Sequence, residues 1–427
     1  MLNFRAAAFV LSAALVTSTI LRAQMPSPAE QAVGYSKAVA TDPVARLQTQ
    51  IDSGAVTLAF DEEHGYLPAV LKALHVPVSS QGLVFSRTSL QVDRIAPWSP
   101  RAIYFADEVY VGWVQNGPIM EIASVDPTLG AVFYTLPQQQ TDHPVFERQA
   151  HTCLQCHDSS ASTGGVPGFI MRSVVADRHG YPVAADAGAT TDTTPLGKRW
   201  GGWYVTGTLG ALEHMGNATT PALLGEMGNV KTYLARTPPV STGGDRDLSK
   251  RFDTAPYLSP HSDAVALLVL AHQTSVHNLI TLARYESLKA SAYGAPADGA
   301  LPAPVVGAAE RLLRAMFFVN ETAYPGRVAG TSAFETEFAQ IGPRDAKGRS
   351  LREFDLQRRL FKYPFSFLVY SESFDTLPQA VKAYLGRRIG EVLAGNDTSA
   401  DFSHLSAADR QAIREILDAT RPALVRF

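Results

Sequence analysis

Short runs of β-branched and aromatic residues dominate the chain between positions 82 and 134. They occupy residues 83–85, 102–105, 109–114, 119–123 and 131–134. Glycine, proline, asparagine or aspartate separates each run from the next, which is typical of strands joined by short turns. The pattern predicts a small antiparallel sheet.

The apolar pattern becomes helical beyond about residue 245. Residues 264–271 are apolar on every side, so they predict the start of a buried helix that continues beyond Leu282, capped by Ser262 or Asp263. Residues 407–419 instead show an amphipathic spacing and follow a Ser406 and Asp409 capping pair. The carboxyl-terminal part is therefore predicted to be mainly helical.

Segments rich in proline and glycine divide the chain into three regions with approximate boundaries. Residues 24–139 are mixed and rich in predicted strands, with one helix predicted near 67–74. Residues 140–240 are dense in glycine and aromatic residues, and residues 241–427 are predicted to be mainly helical. A helix that carries residues 153–157 is predicted to begin just after Pro144 and to end by the loop 159–165, which is rich in serine and glycine. Together the regions predict an α+β protein.

The amino terminus has the pattern of a secretory signal peptide. Arg5 precedes an apolar run over 6–21, and Ala23 offers a small residue for cleavage. We therefore predict a signal peptide over residues 1–23 and a periplasmic or otherwise exported protein. Association with a membrane is expected only if this segment is retained as an anchor.

Composition and missing motifs narrow the range of functions. Charged residues make up 18% of the chain and the net charge is -3, so no electrostatic argument favours nucleic-acid binding. The chain contains no phosphate-binding loop, nucleophile elbow or H-E-x-x-H motif. It contains two cysteines, so the site that they form carries most of the chemical information.

Those cysteines form a C-x-x-C-H motif at Cys153, Cys156 and His157. This motif attaches a c-type haem, because two thiols three positions apart can both reach the vinyl groups of one porphyrin. The adjacent imidazole then becomes the proximal ligand of the iron. The sequence predicts one covalent haem c, bound by Cys153 and Cys156 with His157 on the iron.

Two other chemistries use the same cysteine spacing. A redox-active disulfide of the thioredoxin type would be expected at the start of a helix within a βαβ unit, and none is evident near Cys153. A zinc site would have to recruit distant histidines, since four cysteines are not available. The predicted export also favours haem, because haem c is attached outside the cytoplasm.

Through this motif the chain resembles the c-type cytochromes. Residues 99–105, 199–204, 214–217 and 354–364 further resemble large exported bacterial proteins described as cytochrome c domain proteins. The resemblance implies a haem and redox partner proteins, and says little about activity. One C-x-x-C-H distinguishes the chain from di-haem peroxidases, which relay electrons between two covalent haems.

The resemblance also suggests groups around the haem. In class I cytochromes a proline carbonyl beyond the motif accepts a hydrogen bond from the proximal histidine; Pro167 resembles that device, although it also fits a simple turn. Arg199 is a candidate partner for a propionate. Candidates for packing on the porphyrin, which equally fit ordinary core, are Trp200, Trp203 and Tyr204.

The second axial ligand separates an electron carrier from a reactive haem. Met215, 58 positions after His157, has a spacing similar to that of small c-type cytochromes and is the first candidate. Met171 is too close in sequence to be the first choice. The alternatives are an open site, His214, Met227, and, as a less favoured distal role, His272 or His277.

These observations predict an exported mono-haem c-type cytochrome that performs electron transfer. The chain is much longer than a minimal cytochrome domain, so a haem-dependent oxidoreductase of peroxidase-like or oxygenase-like type is the alternative. A haem sensor with an open distal site is a third class.

Overall fold

The structure, a computed structural model, describes residues 28–185, 188–292 and 300–425. The predicted signal peptide at 1–23 lies outside the described residues. The fold is α+β, as predicted, with the main sheet in the amino-terminal half and most of the helices in the carboxyl-terminal half.

The main sheet is a meander of six strands, in which each strand pairs antiparallel with the next. The five predicted runs all form strands, and a short sixth strand was not predicted. The strands are β1 Gly82–Val84, β2 Arg101–Phe105, β3 Val109–Trp113, β4 Ile119–Asp126, β5 Gly130–Pro137 and β6 Glu147–Arg148.

The two faces of this sheet have different neighbours, because successive side chains alternate between faces. One face is buried and includes Tyr104, Val111 and Tyr134. The Tyr134 hydroxyl donates to Asp42 at 2.6 Å, and Asp42 caps the helix that follows it. The opposite face is directed toward residues from the middle region of the sequence. It carries Ile103, Gly112, Glu121, Ala123, Phe133 and Thr135.

A 29-residue helix from Ala264 to Ala292 forms the centre of the carboxyl-terminal half. Asp263 caps it by accepting from the amides of Val265 and Ala266, as predicted. It is the one helix among the described residues that is long and apolar enough to cross a membrane. However, 89% of its apolar window is buried inside the protein, as expected for a core helix.

Smaller elements complete the fold. The predicted capping pair Ser406 and Asp409 starts a helix at Ala407, as expected. The helices are α1 Pro28–Val33, α2 Pro43–Asp52, α3 Leu67–Ala73, α4 Leu154–His157, α5 Val230–Arg236, α6 Ala264–Ala292, α7 Ala303–Met316, α8 Phe334–Gln340, α9 Glu372–Asp375, α10 Gln379–Ala394, α11 Ala407–Thr420 and α12 Pro422–Val425. Two further antiparallel pairs join β7 Val174–Ala176 to β8 Pro182–Ala185, and β9 Glu213–His214 to β10 Ser241–Thr242.

The predicted middle region is mostly irregular. The sequence placed a helix soon after Pro144, but helix appears only as the single turn α4, because Glu147 and Arg148 pair with β5 instead. One cluster of buried apolar side chains runs from Tyr35 to Leu424 and includes side chains from all three predicted regions. The middle region is thus held between the sheet and the helices.

Candidate cofactor site

A cavity of about 330 Å³ lies between α4, the segment 169–172, α6 and the face of the main sheet that carries Ile103 and Phe133. Volumes of this order are typical of small-molecule and cofactor sites. Most of the walls are apolar. The apolar side chains that line the cavity include Val84, Leu90, Ile103, Ala123, Phe133, Ile170, Met171, Trp203 and Leu270.

The C-x-x-C-H motif forms one wall of this cavity. Its backbone makes a single helical turn, in which the His157 amide donates to the Cys153 carbonyl at 3.0 Å. Residues three and four positions apart lie on one side of a helix, so this helical turn directs Cys153, Cys156 and His157 toward the same side. All three line the cavity. The structure therefore brings together the three residues that the motif predicts.

A backbone carbonyl fixes the orientation of the His157 ring. Nδ1 lies 2.8 Å from the Gly168 carbonyl oxygen, which can only accept, so Nδ1 carries the proton and Nε2 keeps its lone pair. Burial lowers the pKa of His157, which favours the neutral imidazole that metals require. Among the described residues, His157 makes its ring hydrogen bond through Nδ1, and none is found for Nε2. The ring is therefore held in one orientation, with the unprotonated Nε2 that a metal ligand would require.

The carbonyl that accepts from the His157 ring belongs to Gly168, the residue after the predicted Pro167. Pro167 was a candidate for this role, but its carbonyl accepts from the Ala131 amide at 3.2 Å and so joins the segment to the sheet. The Gly168 carbonyl faces His157 instead. Gly168 also donates its amide to the His157 carbonyl at 2.9 Å, so the two residues are bonded twice.

Asn278 on α6 clamps this segment. Its Oδ1 accepts from the Phe169 amide and its Nδ2 donates to the Phe169 carbonyl, both at 2.8 Å. A Cβ at Gly168 would lie only 2.4 Å from Asn278 Oδ1, so the close approach requires glycine. The position of the His157 ring therefore depends on a residue more than a hundred positions away.

The state of the cysteines bears on the alternative chemistries. Both are free thiols. Burial and the nearby Glu121 raise the pKa of Cys153 to about 11, whereas the attacking cysteine of a redox-active disulfide has a lowered pKa. In the described part of the chain no three histidine, cysteine or acidic side chains are grouped closely enough to hold a metal ion. Neither a reactive disulfide nor a zinc site gains support here.

Two arginines border the cavity, and neither was singled out from the sequence. Arg101 pairs with Glu121 at 2.9 Å across the sheet, while its Nε is buried without a partner among the described residues. Arg101 lies over Gly112, where a Cβ would meet Nη2 at 2.4 Å. Arg172 is exposed at the edge of the cavity and donates to Ser162 at 3.1 Å. Both are available to the carboxylates of a ligand.

Arg199, the predicted partner of a propionate, is placed elsewhere. Its side chain is buried and donates to the carbonyls of Thr194 and Asp192 at 2.8 and 2.7 Å, and it does not line the cavity. Of the three aromatic candidates only Trp203 lines the cavity. Trp200 packs on the His214 ring, and the Tyr204 hydroxyl donates to Pro97.

The predicted distal ligands are not on the cavity wall. Met215 lies with its sulfur 3.8 Å from Ser173 Oγ, and Met227 is buried outside the lining. His214 already uses both ring nitrogens, toward the Gly243 carbonyl at 2.6 Å and the Gly216 amide at 3.0 Å. Among the methionines that the structure describes, Met171 alone lines the cavity, although its sequence spacing disfavoured it.

The helix histidines are also occupied. His272 bonds Asp192 at 2.7 Å and Ser366 at 2.8 Å. The arrangement has the order of a Ser-His-Asp triad, but Ser366 is fully buried and its Oγ accepts from the Leu368 amide. His277 bonds the Asp107 carbonyl at 2.8 Å. Neither histidine lines the cavity, so both read as parts of the core.

No protein-family model matches the chain, and no curated protein or solved structure matches it. Function is therefore inferred from the residues that line the cavity, among which His157 is held by the Gly168 carbonyl.

Proposed function

We propose that the protein is an exported mono-haem c-type electron-transfer protein. Cys153 and Cys156 would attach the haem and His157 would be the proximal ligand of the iron. The observation that carries the proposal is the placement of both thiols and the His157 ring on one cavity, with Nδ1 already bonded to Gly168. A C-x-x-C pair of another function has no need for such an oriented histidine.

The remaining walls fit a haem in chemical character. Aliphatic and aromatic side chains suit a porphyrin, and Arg101 and Arg172 offer guanidinium groups to its two propionates. When bound, haem c supplies a one-electron ferric-ferrous couple. The protein contributes a neutral imidazole in a fixed orientation and a largely apolar enclosure, both of which set the potential of such a couple.

For the second axial position the cavity favours Met171 over Met215. Met171 lines the same cavity as His157 and belongs to the segment 169–172, which follows Gly168 directly. Met171 is buried there, whereas Met215 contacts Ser173 outside the lining. A thioether ligand raises the potential and suits electron transfer.

A haem-dependent oxidoreductase is the second candidate, and one observation favours it. Arg101 and Glu121 place an ion pair in the wall of a mostly apolar cavity, and Arg101 Nε has no partner among the described residues. Charged groups of this kind can orient a small polar substrate. The two functions differ in whether an added ligand reaches the iron.

The proposal is tested by expression together with a cytochrome c maturation system. We expect a reduced haem spectrum and haem that remains attached after denaturation. Replacing Cys153 and Cys156 by serine should abolish covalent attachment, and His157→Ala should remove the low-spin spectrum. His151→Ala is the control, because His151 is exposed and does not line the cavity.

Carbon monoxide separates the two candidate functions. An unchanged reduced spectrum indicates a saturated iron and favours electron transfer, whereas a prompt shift indicates an open or labile site and favours the oxidoreductase or a sensor. Wild-type protein without any bound haem would refute both.

A further inference from the structure

Four large apolar side chains are exposed on two loops, one of which borders the cavity. Relative exposures are 49% for Leu90, 38% for Val92, 57% for Trp98 and 49% for Tyr181. Single exposed apolar residues are ordinary, but a contiguous group indicates a binding surface. Whether these four form one surface depends on the contacts between their loops.

Arg87 and His179 join the two loops that carry them. The Arg87 guanidinium lies 4.3 Å from the centre of the Tyr181 ring and bonds the carbonyls of Val92 at 3.4 Å and His179 at 3.1 Å. The Trp98 ring meets the His179 ring edge-on at 5.8 Å. We call the surface formed by Arg87, Leu90, Val92, Trp98 and Tyr181 the mouth surface.

The mouth surface is continuous with the candidate cofactor site. Thr88, Ser89 and Leu90 line the cavity, and Leu90 is at the same time half exposed. A protein seated on this surface would therefore lie directly against the edge of the cavity. Electron transfer between proteins requires such close approach to the cofactor.

The charge around the mouth surface is positive. Arg87, Arg94, Arg172 and Arg178 lie in or beside it, whereas Asp93 is the one exposed acid there among the residues that the structure describes. None of these arginines pairs with a carboxylate within the described ranges. The chain as a whole is negative at -3, so the local excess of positive charge is not simply its average composition. Tryptophan, tyrosine and arginine are also the residues that contribute most to binding at interfaces.

We infer that the mouth surface docks an acidic redox protein, which exchanges electrons with the cofactor in the cavity. The apolar side chains form the centre of the contact and the arginines attract the partner. This inference rests on the proposed haem function and adds the chemistry of the partner and the place where it binds.

The test measures electron transfer to the haem-loaded protein from a reduced plant-type ferredoxin, an acidic iron-sulfur protein used as the probe. Attraction between opposite charges should make the second-order rate constant fall as ionic strength rises. Arg94→Glu should lower that constant about tenfold at low ionic strength and flatten its salt dependence. Trp98→Ala should lower it by a similar factor at every ionic strength.

Two control variants match these changes elsewhere on the surface. Arg414→Glu makes the same charge change at an exposed position of α11, and Ile341→Ala removes another half-exposed apolar side chain. Both should leave the rate constant within about a factor of two of wild type, since they lie outside the mouth surface. Equal haem spectra and thermal midpoints among the variants establish that they are folded.

Three other outcomes would overturn the docking inference. Haem-loaded variants of the mouth surface that react at the wild-type rate overturn the docking inference and leave the haem proposal standing. A change in oligomeric state, rather than in rate, would assign the surface to contacts between copies of this chain. Failure of the protein to bind haem overturns the docking inference together with the proposed function.

Discussion

Replacing Gly168 by alanine tests how the proximal histidine is held. The new Cβ would lie 2.4 Å from Asn278 Oδ1 and 2.9 Å from Thr163 Cβ, which is closer than real Cβ contacts occur. Asn278 is not free to move aside, because it makes two hydrogen bonds of 2.8 Å to the Phe169 backbone. Either the clamp or the Gly168 segment must shift.

The expected cost follows from those contacts. Loss of the two bonds costs about 2 kcal/mol at roughly 1 kcal/mol each. Accommodating the methyl group in a packed site costs about 1–3 kcal/mol if the clamp instead holds. Since the chain takes the cheaper of the two routes, we expect the free energy of unfolding to fall by about 1–2 kcal/mol.

Urea unfolding followed by circular dichroism measures this change. Gly307→Ala is the matched control, because a Cβ at Gly307 meets nothing within 4 Å and the residue lies inside α7. There alanine should increase stability by up to about 1 kcal/mol. The same substitution is therefore expected to have opposite signs at the two positions.

The haem-loaded protein offers a second readout of Gly168→Ala. A hydrogen bond from Nδ1 makes a histidine ligand more basic, so displacement of the Gly168 carbonyl should raise the reduction potential. Gly307→Ala should leave the potential unchanged. A Gly168→Ala protein within about 0.5 kcal/mol of wild type, with an unaltered potential, would refute this account of how His157 is positioned.

Three further predictions concern single groups. Met171→Ala should remove the low-spin spectrum of the ferric haem protein while Met215→Ala leaves it intact; the reverse result would restore the choice made from sequence spacing. In the haem-free Cys156→Ser variant, the pKa of Cys153 near 11 predicts slow alkylation at pH 7 that accelerates as the pH rises toward 11, and rapid labelling at neutral pH would contradict it. Burial lowers the pKa of His277 to about 4, below its ordinary 6.5, so its contribution to stability is complete above pH 6.5 and is lost as the pH falls toward 4. Wild type should lose about 2 kcal/mol more than His277→Gln between pH 7 and pH 5 in urea unfolding, and equal losses would show that His277 does not titrate this way.

Local patterns were sufficient to predict the main sheet and the central helix. The five β-branched runs became β1 to β5, and the apolar run at Ala264 became α6. Strand and helix preferences act over a few residues, and so a sequence can report them directly. The helix predicted to carry Cys153 to His157 is present only as the single turn α4, and the strand β6 was not predicted, because pairing with β5 overrode the local preference of residues 147 and 148.

The neighbours of the site depended on long-range contacts. Pairing of β3 with β4 and β2 with β3 sets Arg101 and Glu121 near one another, although twenty positions separate them in the chain. Met171 reaches the cavity while Met215, with the more familiar spacing, does not. The spacing of two residues along the chain is therefore a weak predictor of whether both line the cavity. The sheet register and an irregular segment determine which side chains lie there.

The sequence by itself determined the α+β class and the grouping of Cys153, Cys156 and His157, because a single helical turn brings residues three and four positions apart together. Only the tertiary structure decided that Gly168 rather than Pro167 orients the histidine, and that Arg101 and Arg172 rather than Arg199 border the cavity. These choices follow from the clamp by Asn278 and from the sheet register. Both are contacts between distant parts of the chain, which short-range patterns do not encode.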